Sequence, residues 1–177
     1  MKKRRIALVI VLLTLLTARP VELLADEDAV MYSRALRSAQ SGNLDFAYMD
    51  YRILLRDYPG SRYTEFAMFA QGEYYFLMPD YVQTEKIFDA YLKRYPESKG
   101  ALFARAYLLQ IAEEKKDEPL TQKLKNEMLA RCRVGLVFRN SKEYRYRSPM
   151  DRKLKVVFYI DKIEFYEGKK LIGAVSY

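Results

Sequence analysis

The sequence predicts a mainly α protein, a solenoid of about three helix pairs, followed by a small antiparallel β segment. Three observations carry this. First, a phrase occurs twice: Ile-Leu-Leu-Arg-Asp-Tyr-Pro-Gly-Ser-Arg at 53–62 and Ala-Tyr-Leu-Lys-Arg-Tyr-Pro-Glu-Ser-Lys at 90–99, with Tyr58 and Tyr95, and Pro59 and Pro96, each 37 residues apart. A fixed period of this size marks stacked supersecondary units, each burying its apolar side against the next. Second, apolar residues around both phrases recur at intervals of three and four, the helical rhythm. Third, from residue 134 the composition turns β-branched, aromatic and alternating, the rhythm of strands.

The totals bound what such a chain can do. At 177 residues, half of them hydrophobic, it has enough for one domain with a real core. There is no His, and Cys132 is the single cysteine. That excludes most zinc and copper sites, His-based catalysis and an intramolecular disulfide. No Asp-x-Asp-x-Asp-Gly run supplies a calcium loop. No nucleophile–base pair can be assembled, so neither a catalytic site nor a cofactor or metal is expected. The formal charge of +8 divides as +4 in residues 1–25, −3 in 26–130 and +7 in 131–177. A slightly acidic middle and a basic tail imply two surfaces with different partners.

Residues 1–25 read as a secretory signal peptide. Lys2-Lys3-Arg4-Arg5 precedes an apolar run over 6–16 and then Thr17-Ala18-Arg19-Pro20. Eleven residues of helix (6–16), at about 1.5 Å each, fall short of the roughly 30 Å hydrocarbon core. Cleavage is expected after Ala25, with Ala18 as the alternative, giving an exported, periplasmic chain.

Helices are expected over 29–41, 44–58, 62–78, 81–95, 101–115 and 120–133. Gly42-Asn43, Pro79-Asp80 and Lys116-Asp117-Glu118-Pro119 separate the members of each pair. Pro59 and Pro96 end the second helices of the first two pairs, since proline cannot continue the bond ladder, and Ser61 and Ser98 are placed to cap the third and fifth helices. The helix over 62–78 is apolar on several sides, so neighbours should pack it from both.

Within these helices, Ala47, Tyr51 and Pro59 form a small–aromatic–proline series, repeated as Thr84, Phe88 and Pro96. Gly72 precedes Tyr75 by three. On these residues, residues 26–133 resemble tetratricopeptide repeats. The resemblance implies that the small residues let paired helices approach and that the aromatics fill the gap between pairs. The phrase Tyr-Pro-x-Ser-basic, with repeats longer than the family's usual length, is similar to the bacterial envelope subgroup. That subgroup includes the lipoprotein of outer-membrane β-barrel assembly and the periplasmic partner of the Tol–Pal system. The sequence departs from both, without a lipobox cysteine or a preceding coiled coil. The resemblance implies a non-enzymatic scaffold in envelope biogenesis, holding a partner segment in the concave face. Tyr74, Tyr75, Phe76 and Tyr107 are the candidates for that groove.

In the tail, 134–177, strands are expected over 134–138, 143–147, 153–160, 163–166 and 171–175, with a hairpin at Gly168. The alternation of Tyr and Arg makes Arg145, Arg147, Arg152, Lys153 and Lys155 a candidate basic surface for anionic lipid or glycan. Export argues against nucleic acid. Cys132 is expected as a small buried hydrophobe rather than a reactive thiol. Two other readings stay open: a membrane-associated structural protein with an uncleaved start, and a non-catalytic accessory that binds peptidoglycan.

Overall fold

The computed structural model describes residues 27–132, 141–159 and 161–176. The expected signal segment with both cleavage positions, the 134–138 strand, Ile160 and the side chain of Cys132 lie outside the described residues.

The described residues form three helix pairs and a four-stranded sheet. The helices are α1 (Glu27–Gln40), α2 (Leu44–Asp57), α3 (Thr64–Leu77), α4 (Tyr81–Arg94), α5 (Ala101–Lys115) and α6 (Glu118–Cys132). The strands are β1 (Ser141–Arg147), β2 (Lys153–Tyr159), β3 (Lys162–Glu167) and β4 (Lys170–Ser176). Each helix packs on the one before it and the one after. The expected mainly α architecture with a β tail is therefore what the chain forms.

The period reaches further than the repeated phrase. The second helices begin at Leu44, Tyr81 and Glu118, and α3 and α5 at Thr64 and Ala101, all in steps of 37. The turn inside each pair is closed by the same backbone bond, from Asn43 to Ser38, Asp80 to Tyr75 and Asp117 to Ala112. Such a bond satisfies a carbonyl that the helix end would otherwise orphan. At the first of these turns Gly42 takes φ +82°, a left-handed conformation natural to glycine. Asp80 and Asp117 then accept from the amides of Gln83 and Leu120 as side-chain caps of α4 and α6.

The repeated phrase has one conformation in both copies. Tyr58 and Tyr95 end their helices at φ −128°, ψ 58° and φ −129°, ψ 56°. The serines after them do not cap the next helices as expected. Residues 61–63 and 98–100 form turns that delay the helix starts to Thr64 and Ala101. The Ser61 hydroxyl accepts from the Tyr63 amide within that turn and donates to Asp28, and the Ser98 hydroxyl pairs with that of Tyr91 at 2.6 Å.

The small–aromatic series lies inside the stack. Ala47, Tyr51, Thr84 and Phe88 are all fully buried. A Cβ added to Gly72 would stand 2.5–2.8 Å from the Phe88 ring, so only glycine lets α3 and α4 close to this distance.

The sheet is an antiparallel meander in the order β1–β2–β3–β4. Its hairpin between β3 and β4 has two loop residues, the first being Gly168 at φ +58°, which suits a primed turn. One face carries Tyr146, Leu154, Val156, Ile163, Phe165 and Val175, buried in one cluster with residues of α3, α4, α5 and α6. Sheet and helices therefore share a core.

Candidate functional site

The first helices of the pairs present one continuous side. On α3, Phe69, Glu73 and Phe76 are spaced by four and three; on α5, Phe103, Tyr107 and Gln110 repeat that spacing. Residues so spaced lie on one helix face. The sequence predicts an open partner groove on this side, yet the inner face of the sheet covers it along the second and third pairs. Tyr146 meets Phe69 edge-on at 5.4 Å and stacks with Phe103 at 5.3 Å. Gln110 donates to the carbonyl of Ile172, the residue inserted where the β3–β4 register shifts.

The turn between β1 and β2 reaches deepest. Met150 is buried among Ala35, Tyr51 and Ala67 of the first pairs, and the Tyr51 hydroxyl donates to the Pro149 carbonyl at 2.9 Å. Apolar packing thus continues from the sheet into the N-terminal half of the stack.

Beneath this turn lies a buried polar cluster. Glu73 is 0% exposed, and Tyr107 donates to its Oε1 at 2.8 Å. Its Oε2 has no hydrogen-bond partner among the described residues, although Ser148, the Met150 amide and the Arg152 charge all favour its ionised form. Burial outweighs them and pushes the Glu73 carboxyl up to about 7. Arg152 bridges helices and sheet. Its Nε bonds Glu167 at 2.7 Å, and its guanidinium lies 5.3 Å over the Tyr107 ring. In return it holds the Glu167 carboxyl below the ordinary range.

The sequence-derived groove residues are accordingly divided. Tyr107 is 2% exposed and belongs to the buried cluster, so it cannot line an open groove. Phe76 packs on Tyr107 at 4.7 Å. Tyr74 and Tyr75 lie apart from both, against α2. Tyr74 stacks on Tyr48 at 4.2 Å and donates to Asp45, while the Tyr75 and Tyr48 hydroxyls meet at 2.6 Å.

The basic surface also needs one correction. Arg145, Arg147, Lys153 and Lys155 occupy the outer face of β1 and β2. Arg152 does not join them. Its side chain is only 13% exposed, because Glu167 and the Tyr107 ring draw it inward.

Among the described residues, the N-terminal end of this side keeps an opening. Tyr32, Leu36 and Gln40 of α1, Phe66 of α3 and the turn residues 147–149 line a crevice of about 180 Å³. Tyr32 is fixed there by stacking on Tyr63 at 4.3 Å. The sequence pattern alone does not single these residues out as a site. Tyr32 stands 37 before Phe69, and that offset is the signal that could have found it.

A second crevice, of about 510 Å³ between α4, α5 and α6, mixes both signs of charge. Lys115 pairs with Glu85 across it, and the buried Arg105 side chain reaches Glu127 at 3.4 Å. No helix among the described residues is long and apolar enough to cross a membrane.

No protein-family model matches the chain, and no curated protein matches it.

Proposed function

We propose that this chain is a non-enzymatic interaction scaffold of the bacterial cell envelope, exported to the periplasm. The stacked helix pairs and the Tyr-Pro-x-Ser-basic phrase support the scaffold reading. The basic and apolar start of the sequence supports export. Repeat stacks offer extended concave surfaces, and here the chain's own sheet takes most of that surface. The partner is therefore an extended segment of an envelope protein that seats one aromatic or aliphatic side chain in the remaining crevice.

The observation that carries this reading is the crevice at Tyr32, Leu36, Gln40 and Phe66, rimmed by aromatic rings on one side and the 147–149 turn on the other. Tyrosine-rimmed pockets are common seats for interface anchors.

A photo-crosslinking residue at Leu36 or Gln40 in the full-length protein, with Gln122 on α6 as the control, tests it in cells. Adducts to an envelope protein from the first two positions and not from the control are expected. Adducts only from the control position would contradict it. Sequencing the mature N-terminus tests export: Asp26 is expected at the start, and an intact Met1 would contradict it.

A further inference from the structure

The outer face of the sheet carries an arrangement that costs stability. Arg145 stands directly opposite Lys155, and Arg147 directly opposite Lys153, on neighbouring strands and the same side. Like charges in opposed cross-strand positions repel. The compensation is partial. Glu143 bonds Arg145 and lies 3.9 Å from Lys155, and Asp151 pairs with Arg147. Lys153 has no ion pair among the described residues, nor has Lys169 at the nearby hairpin tip. The four opposed cations line a depression of about 330 Å³, together with Gly168 of that hairpin.

The register continues this basic patch into an apolar one. Lys155 is paired with Tyr166 on β3, and its ammonium lies 4.4 Å over that ring. Tyr166 is paired with Leu171 on β4, which is 50% exposed. One row across the sheet therefore reads Arg145, Lys155, Tyr166, Leu171, running from cation through aromatic to aliphatic. A soluble polyanion would satisfy the first half of this row and gain nothing from the second. A bilayer surface satisfies both. Phosphates meet the cations, tyrosine sits at headgroup depth, and leucine enters the acyl boundary.

We infer that the outer face of the sheet docks on anionic phospholipid bilayers, with a lipid phosphate in the depression between Arg145, Arg147, Lys153 and Lys155. This surface lies opposite the face that covers the helices, and Arg147 borders both it and the crevice.

The test is co-sedimentation of the full chain with phosphatidylglycerol-containing vesicles at low salt, beside pure phosphatidylcholine vesicles and heparin. The basic, apolar start is common to every variant, so differences report on the sheet. Replacing both Arg145 and Lys155 with Gln is expected to weaken partitioning onto the anionic vesicles roughly 25-fold, about fivefold per cation. The same change should leave the thermal unfolding midpoint unchanged or higher, because a like-charge pair is removed. Leu171→Ser is expected to weaken vesicle binding severalfold and leave heparin binding unchanged. Equal partitioning of the double variant and the parent would overturn the proposal. So would heparin binding that falls with the double variant while vesicle binding does not, which would assign the face to a polyanionic polymer. Arg147→Gln with Lys153→Gln is an independent pair on the same depression and must give the same ranking.

Discussion

Gly72 and Glu73 are neighbours on α3 with opposite constraints. A methyl at position 72 would ordinarily help a helix by about 1 kcal/mol. Here it would enter the Phe88 ring, which is itself stacked on Tyr107 at 5.4 Å and cannot withdraw. Gly72→Ala should therefore destabilise by about 1–3 kcal/mol, read as a shift of the urea midpoint at unchanged slope. Glu73 titrates near 7 in the folded protein against an ordinary 4.5. Between those values the native state holds a proton that the unfolded chain has released, so the stability this group contributes falls as pH rises through the window. Glu73→Gln keeps an acceptor for Tyr107 and never ionises. It should be near neutral in effect at pH 4.5 and should stabilise at pH 8, on the order of 1–3 kcal/mol. An equal effect at both pH values would show that burial of the charge is not what matters.

Among the elements, the 148–152 turn decides how the sheet is held. Arg152→Met would leave Glu167 without its main partner and Tyr107 without its cation. Loss of one member of such a half-buried pair costs on the order of 2 kcal/mol at neutral pH. Since Arg152 lowers the Glu167 carboxyl, the stabilising charge is present above the ordinary carboxylate value and disappears as pH falls through the lowered one. The deficit of the variant should therefore shrink toward pH 3, as followed by thermal unfolding across that range. The helices and strands are largely legible in the sequence, because proline, glycine and a constant period mark their ends. Asn43, Asp80 and Asp117, each 37 apart, extend the repeat to three copies. The destination of Arg152 is not legible. It reads as one more cation in a basic tail, and only Glu167, fifteen residues on, and Tyr107 on a distant helix turn it inward. Nor can the sequence alone place Tyr74 and Phe76 on different sides, one on Tyr48 and the other on Tyr107, since nearby aromatic positions on a densely apolar helix do not declare which neighbour each will meet.

For the molecule as a whole, a repeat stack and a sheet share one hydrophobic cluster. The sheet supplies to α3 and α5 the cover that a partner supplies to an open repeat groove. Deleting 141–177 would expose Phe69, Phe103 and Tyr107, which are 0%, 1% and 2% exposed in the whole protein. The shortened chain should self-associate in size-exclusion chromatography and lose its fixed aromatic environment in near-ultraviolet circular dichroism. Native-state amide hydrogen exchange on the full-length protein tests the shared core most directly. If helices and sheet form one cooperative unit, the amides of β2 and of α5 should open with the same free energy, close to that of global unfolding. Strand amides that exchange orders of magnitude faster than those of α5, with the helices still protected, would instead mean that the sheet detaches on its own and the concave face is an open groove most of the time.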